Sequence, residues 1–265
     1  MPPEPAQSSA PAATGEIADD ILTYKIAWDV PGGAVNLRFT VPDAPARLAD
    51  IVPLARQLAT QVACQTVARR AKQARPISCR KGCAACCEYF VPVSPPEALR
   101  LAVEIDQMPP RLGACLRQRF ADAAVRLAAC ARRTAPPGET PRMDRLSEMY
   151  ADLHAPCPLL HNGLCAHYAC RPVACREHIT AASPAACSRP GGAEPVQLPV
   201  SLLEGLLRLT AELTGAEAEV LGLGQSLAWA QRRPQLHERT WPSRMIFGRF
   251  LQILDQLATS SAARV

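Results

Sequence analysis

Long apolar runs are missing from this sequence: no stretch of 18 or more uncharged apolar residues occurs, so we expect no transmembrane helix. Residues 1–16 contain no Lys or Arg and no apolar segment, so they lack the pattern of a secretory signal peptide. They are rich in Pro, Ala and Ser, which predicts a disordered tail. We therefore expect a cytoplasmic protein with no membrane partner. In that reducing compartment, clustered cysteines bind metals or carry redox chemistry more often than they form disulfides.

Aromatic residues are also scarce, at 5% of the chain, and no stripe of basic residues interleaved with aromatics is present. The net charge of +5 is mildly basic, and the arginine pairs fall near the ends of predicted helices, where the helix dipole favours cations. Nucleic acid is therefore not implied as a partner. The composition, 48% hydrophobic and 20% charged, is that of a globular protein, and 265 residues can bury a core without disulfides.

A β-hairpin is predicted near the start of the chain, within residues 17–45. Its first arm is Ile21–Trp28, and its second arm, 34–41, alternates apolar side chains on one face. Gly32 and Gly33 between the arms allow the positive φ of a tight turn.

The rest of the sequence has the apolar spacing of helices, so we predict a mainly α fold: a small N-terminal β-hairpin and a helical scaffold with a loop-rich metal-binding region. Capping patterns at Ser201–Glu204 and Thr214–Glu217 predict two helix starts, and Thr240–Pro242 predicts a third. The predicted helices are 46–73, 95–107, 110–133, 142–153 and several from 201 onward. The predicted divisions are a tail at 1–16, the hairpin at 17–45, a helical cysteine-cluster metal-binding domain at 46–195 and a C-terminal helical extension at 196–265.

Eight of the twelve cysteines lie in two short windows. The first is Cys79–Cys87, with the spacing C-x3-C-x2-C-C. The second is Cys157–Cys175, which contains Cys165 and Cys170. Residues 155–197 around the second window are rich in proline and poor in large apolar side chains. Such a segment cannot order itself by packing alone, so a bound group is expected to order it.

The first window, if helical, places its four thiols on one face about 100° wide and roughly 12 Å long. One tetrahedral metal ion cannot easily take ligands from both ends of such a stripe. The pattern therefore favours two metal centres or one multinuclear cluster.

In the second window, turns allow ligands that are distant in sequence to converge. Asn162-Gly163 predicts a tight turn before Cys165, and Arg171-Pro172 predicts a rigid corner before Cys175. Basic side chains near both windows can donate hydrogen bonds to thiolate sulfur and offset its charge. These are Arg80, Lys81, Arg171, Arg176 and His178.

With these motifs the sequence resembles the zinc- or iron-chelating cysteine-cluster proteins, the CxxCxxCC family of YkgJ type. The family pattern joins a C-x3-C-x2-CC block to a Cys-Pro-apolar-Leu, a Gly-x-Cys, a Tyr and an Arg-Pro-x-x-Cys-Arg. The matching positions are Cys79–Cys87, Cys157–Leu160, Gly163–Cys165, Tyr168 and Arg171–Arg176. The resemblance spans 79–178. A related cysteine cluster occurs in flagellin lysine methylases.

The resemblance implies a set of metal ligands, position by position: Cys79, Cys83, Cys86, Cys87, Cys157, Cys165 and Cys175. Cys170 and Cys187 lie outside the family pattern, and Cys170 is a candidate additional ligand. Four nearby histidines, His154, His161, His167 and His178, can also bind metal, although a surface or orienting role is the commoner one. Cys64, Cys115 and Cys130 have the spacing of helix cores and are expected to be small buried residues.

Two functions fit this pattern best. The leading one is a metal-binding protein that coordinates an iron–sulfur cluster or zinc through both windows, with a redox role if iron is present. The alternative is a non-catalytic zinc-stapled interaction module that docks a protein partner through 199–260. Visible absorption distinguishes them, because zinc thiolates are colourless.

Two enzyme classes are less consistent with the sequence, and whether any reaction is catalysed stays open. A lysine methylase-like enzyme follows from the resemblance, but no Gly-rich nucleotide loop follows a strand, and Gly222–Gly224 lies in a helical pattern. A radical S-adenosylmethionine enzyme matches the Cys79–Cys86 spacing. That fold, however, needs the motif after a strand in a strand–helix alternation, and here a predicted helix precedes it.

Overall fold

The computed structural model describes residues 12–18, 20–30, 33–134, 143–189, 191–217 and 219–262. Residues 1–11 of the predicted tail and 31–32 of the predicted turn lie outside these ranges. The strands are β1 Ala12–Ala18, β2 Ile21–Val30, β3 Gly33–Pro42, β4 Pro45–Arg47, β5 Pro92–Val93, β6 Leu160–His161, β7 Leu164–Cys165, β8 Leu221–Gly222 and β9 Thr240–Pro242. The α-helices are α1 Val52–Lys72, α2 Pro95–Asp106, α3 Pro110–Thr134, α4 Met143–Ala151, α5 Val173–Glu177, α6 Pro184–Cys187, α7 Leu202–Thr214, α8 Ser226–Gln231, α9 Pro234–Glu238 and α10 Ser243–Ala262. Short 3-10 turns occur at Leu48–Ile51, Tyr168–Cys170 and Leu223–Gln225.

The predicted hairpin is confirmed, with β2 and β3 antiparallel. Trp28 pairs with Val35 and both are fully buried, so the alternating apolar face turns inward. Unexpectedly, β1 adds a third strand that pairs antiparallel with β2. The prediction of a disordered tail is therefore wrong for residues 12–16. This segment has no alternating apolar pattern of its own; it is ordered by backbone pairing with the edge of β2.

The prediction of a mainly α protein with an N-terminal hairpin is also confirmed. One hydrophobic core takes side chains from the hairpin, from α1 and α2, and from α7 and α10. This core therefore runs across the predicted boundaries at 45/46 and 195/196. None of the described helices is both long and apolar enough to cross a lipid bilayer.

Two local predictions in the C-terminal part are wrong. Thr214–Glu217 begins no helix; Gly215, with a φ of 70°, ends α7 in the left-handed conformation. Gly222–Gly224 is not part of an α-helix, because β8 pairs there with β5 and a 3-10 turn follows.

The last predicted helix is confirmed as α10, which begins at Ser243, directly after Thr240–Pro242. Thr240–Pro242 itself forms β9, which pairs with β4.

Of the three cysteines expected in helix cores, only Cys130 is buried. Cys64 and Cys115 are exposed, which corrects the prediction for both. Each lies out of phase with the inward face of its helix, which Val62 defines in α1 and Leu116 defines in α3.

Candidate metal centre

The first cysteine window is a loop of consecutive turns, so the prediction of a helical stripe is wrong. The Cys83 amide donates to the carbonyl of Arg80 at 3.1 Å, and the Cys87 amide donates to that of Ala84 at 2.9 Å. Gly82, with a φ of 87°, adopts a conformation that no right-handed helix contains. The turns point the thiols inward from several directions, which a single helix face cannot do.

The second window has the turns that the sequence predicts. Asn162 and Gly163, with φ values of 48° and 74°, connect β6 to β7. Positive φ at both positions is the signature of a type I′ hairpin turn, and the strand that follows carries Cys165. After the corner at Pro172, α5 carries Cys175.

Backbone hydrogen bonds join the two windows directly. The Cys157 amide donates to the carbonyl of Cys87 at 2.7 Å. At the other end of the first window, the Ser78 amide donates to the carbonyl of Thr180 at 3.0 Å, and the Thr180 amide donates to Cys79 Sγ at 3.3 Å. These hydrogen bonds hold the two windows next to each other.

Six cysteines, three from each window, line a single cavity of about 200 Å³. They are Cys83, Cys86, Cys87, Cys157, Cys165 and Cys175. Cys79 does not line the cavity, but it lies close enough to Cys83 and Cys86 to interact with both electrostatically. No disulfide joins any of the twelve cysteines, all of which are in described parts of the chain. Both windows therefore contribute free thiols to the same cavity.

Burial governs the ionisation of these thiols. It raises the pKa of Cys157 to about 11, and it raises the pKa of Cys175 as well. In the adjacent pair, the Cys87 thiol donates a hydrogen bond to Cys86, which lowers the pKa of Cys86 and raises that of Cys87. Since the pKa of Cys157 and that of Cys175 are raised, a cation in the cavity would favour the thiolate form of both.

Positive side chains of the protein supply part of that charge. Arg171 lines the cavity, and it lowers the pKa of Cys86. Its guanidinium stacks on the ring of Tyr168, 4.4 Å from the centroid, and Lys81 Nζ lies 5.8 Å from the same centroid. Arg171 and Lys81 are therefore placed as expected.

The other predicted basic neighbours lie elsewhere. Arg80 is exposed. Arg176 is buried, but it donates to Thr60 and to main-chain carbonyl oxygens on another side of the second window. His178 lines an adjacent cavity of about 380 Å³, which shares Cys86 and Cys175 with the cysteine cavity.

A second group of metal-ligand type contains Cys170, the candidate additional cysteine. Ligand atoms of Glu104, His167 and Cys170 all lie within 4.8 Å of one another. His167 Nε2 is 2.8 Å from Glu104 Oε2. Burial opposes the charge on Glu104, but hydrogen bonds from His167, Arg56 and Arg100 outweigh it and lower the pKa of Glu104 to about 2.

Sequence reasoning missed Glu104 and its buried partner Arg56. Arg56 donates two hydrogen bonds to the Glu104 carboxylate, at 2.6 and 3.2 Å. The usable signal is helical phase: Arg56 is four residues after Val52, and Glu104 is three residues after Leu101, so both lie on buried helix faces. A charged residue on an apolar helix face predicts a buried partner.

Two further buried carboxylates hold the second window in place and were also missed. Glu97 accepts a hydrogen bond from the Val173 amide at 2.7 Å, at the start of α5. Glu177 accepts from the Leu202 amide, at the start of α7. The pattern Ser94-Pro-Pro-Glu97 is a capping box and was the available signal for Glu97.

The remaining residues outside the family pattern are not in the cysteine cavity. His154 is exposed and lies 3.3 Å from Glu88, and His161 is exposed on β6. Cys187 is buried beside Cys79.

Twelve cysteines, a cavity of converged thiols and a Glu–His–Cys group together indicate metal binding without indicating which metal. A scan of protein-family models, a search of curated proteins and a search of solved structures each gave no match to this chain.

Proposed function

We propose that the cysteine cavity holds a metal centre bound by thiolates from both windows. The ligands are Cys83, Cys86, Cys87, Cys157, Cys165 and Cys175, with Cys79 at the edge of the site. The observation that carries the proposal is the convergence of six thiols on one cavity of about 200 Å³ with no disulfide among them. The resemblance to YkgJ-type cysteine-cluster proteins is part of the same proposal.

The residues fit such a group in number, charge and surroundings. A single zinc ion takes four ligands, so six thiols around one cavity favour a polynuclear centre. Burial raises the pKa of Cys157 and Cys175, so a bound cation has a large electrostatic effect there. Arg171 offsets part of the thiolate charge, as residues around such centres commonly do.

The metal decides the chemistry that the site supplies. An iron–sulfur cluster would supply one-electron transfer, whereas zinc would hold the two windows together without redox activity. The protein's own part is to fix the thiols, exclude water and tune the charge through Arg171 and Tyr168. We favour iron–sulfur because the lining offers thiolate ligands that include the adjacent Cys86–Cys87 pair.

The test is anaerobic purification followed by a visible spectrum and a metal-to-protein ratio. We expect stoichiometric metal, with broad visible absorption if it is iron–sulfur. A colourless protein with stoichiometric zinc would instead favour the zinc-stapled interaction module. A protein that binds neither metal stoichiometrically would contradict the proposal.

Serine variants assign the ligands. Cys175→Ser, in the cavity, should lose most of the bound metal. Cys64→Ser is the matched control because Cys64 is an exposed cysteine on α1, and its metal content should equal that of the parent. Equal metal loss in both variants would mean that the cavity is not the site.

A further inference from the structure

A second cavity, of about 340 Å³, lies against α1, α2 and the second cysteine window. The 3-10 turn Tyr168–Cys170 serves both sites: Tyr168 lines the cysteine cavity, whereas Ala169 and Cys170 line this one. The two cavities are therefore lined by different side chains of one short turn. The volume is in the range that small-molecule sites occupy.

Positive charge dominates the lining of this second cavity. Arg56, Arg100 and Arg176 line it, together with one carboxylate among the described residues, that of Glu104. Arg56 and Arg100 both pair with Glu104, at 2.6 and 2.9 Å. The positive charge therefore exceeds what the protein itself neutralises.

Arg176 is the clearest uncompensated group. It is buried, and it donates hydrogen bonds to Thr60 Oγ1 at 2.7 Å and to the carbonyl oxygens of Ala169 and Arg171. Within the described parts of the chain, no carboxylate forms an ion pair with it. Buried charges in proteins are normally paired, whereas the hydrogen bonds of this guanidinium go to neutral oxygens.

Arg56 adds an independent observation. Its side chain is only 8% exposed, and its Nε has no hydrogen-bond partner among the described residues. Thr60 connects the two arginines, since its hydroxyl donates to the Arg56 carbonyl at 2.9 Å and accepts from Arg176. An unpartnered donor on a buried arginine therefore lies beside a second arginine that has no carboxylate partner in the described parts of the chain.

We propose that this cavity binds a small molecule through a phosphate group. A phosphate carries a charge near −2 and three acceptor oxygens, which match several converging guanidiniums better than a single carboxylate does. Gln57 and Gln61 in the lining add neutral amide donors for the phosphate oxygens, and Thr60 adds a hydroxyl group. Arg56 and Arg100 together engage both carboxylate oxygens of Glu104, so this carboxylate does not also neutralise Arg176.

Calorimetric titration of the full chain with inorganic phosphate, in chloride buffer at constant ionic strength, tests the proposal. We expect saturable binding of one phosphate per chain, with an affinity about tenfold weaker in Arg100→Gln because a charge-assisted hydrogen bond is lost. Arg249→Gln is the matched control: Arg249 also pairs with a glutamate, Glu212, but lies on α10 and lines no part of this cavity. Its affinity should equal that of the parent.

A second variant and a second anion complete the test. Gln57→Leu changes an exposed residue of α1, so it should fold normally and bind phosphate several-fold more weakly even if Arg100→Gln does not fold. Acetate should bind much more weakly than phosphate. Absence of saturable phosphate binding, equal affinity in the parent and both cavity variants, or acetate binding as tight as phosphate would each overturn the proposal. None of these variants alters a cysteine of the proposed metal centre, so a change in phosphate affinity can be distinguished from a loss of metal ligands.

Discussion

At the scale of single residues, the protein's clearest feature is the use of buried charges to hold the second cysteine window. Arg56 and Glu104 connect α1 to α2 in the core, and His167 joins them from the second window. A buried ion pair contributes little compared with apolar packing, but breaking one is costly because a charge is left without its partner. A substitution that removes the charge of one partner but keeps its shape should therefore lower the stability of the protein.

Glu104→Gln should lower the free energy of unfolding by about 3–5 kcal/mol, because it leaves Arg56 charged, buried and unpaired. Urea denaturation at pH 7 measures this. Glu212→Gln removes an exposed carboxylate paired with Arg249 and should cost no more than about 1 kcal/mol. Equal losses of unfolding free energy in the two variants would mean that the buried pair contributes no more to stability than the exposed pair does.

The environment of Glu177 predicts that the stability of the protein depends on pH, and a single variant can test this. Burial raises the pKa of Glu177 from 4.5 to about 7, despite the hydrogen bonds that its carboxylate accepts at the start of α7. A raised pKa means that its contribution to stability is fully present below pH 4.5 and is lost as the pH rises through 7. The shift corresponds to about 3 kcal/mol.

Glu177→Gln, which stays neutral, should therefore gain stability relative to the parent by about 3 kcal/mol between pH 4.5 and 7. Urea denaturation of both proteins across this range measures the difference. A constant difference, or one that changes in the opposite direction, would contradict the buried environment of Glu177.

At the scale of elements, close packing of α7 on α10 fixes the C-terminal part of the core. Gly205 on α7 allows this contact, since a Cβ there would lie 2.5 Å from Leu254 Cδ2 and 3.2 Å from Phe250. Gly248 on α10 has open space around it instead. A side chain is therefore excluded at Gly205 but could be accommodated at Gly248.

Gly205→Ala should destabilise the protein by about 1–3 kcal/mol through overpacking. Gly248→Ala, the matched control, should stabilise it by about 0.5–1 kcal/mol, because alanine lowers the entropy cost of a helix interior. Thermal unfolding of both variants gives the two signs. Shifts of the same sign would show that the packing of α7 on α10 is looser than described.

At the scale of the whole molecule, a helical scaffold with its own core carries two windows that have little apolar packing. Core residues lie on α1, α2, α7 and α10, whereas most of the residues at 79–90 and 160–171 are half-exposed. We therefore expect the proposed metal to stabilise the conformation of the windows more than that of the helical scaffold.

Removal of the metal with a chelator should accordingly be a local event. Hydrogen exchange followed by mass spectrometry should show faster exchange in 79–90 and 157–178, with α10 remaining protected as the internal control. Uniform loss of protection would mean that the metal holds the entire fold. Unchanged exchange in the windows would mean that the metal, if bound, is elsewhere.

The sequence predicts the elements whose residues carry their own pattern. Alternation predicts the hairpin, helical spacing predicts α1 to α4 and α7, and Asn162-Gly163 predicts its turn. Where tertiary contacts decide the conformation, the prediction fails: β1 depends on the edge of β2, and β8 and β9 on pairing with β5 and β4.

In the candidate site, too, some features are predicted by the sequence and others are decided by tertiary contacts. The two cysteine windows mark the region of the site, and six of the seven ligands that the family resemblance implies line the cavity, Cys79 being the exception. Cysteine spacing does not reveal that the first window is a loop, because Gly82 adopts its positive φ only in the folded chain. The Arg56–Glu104 pair is not predicted, because the periodicity of apolar residues does not show which charged residues share the buried helix faces.

X-ray absorption at the metal edge of the anaerobically purified protein tests the central claim, a thiolate-bound metal centre in the cysteine cavity, most directly. The account predicts a nearest shell dominated by sulfur at about 2.3 Å from the metal, lost in Cys175→Ser and kept in Cys64→Ser. A nearest shell of nitrogen and oxygen, or a sulfur shell unchanged in Cys175→Ser, would contradict it.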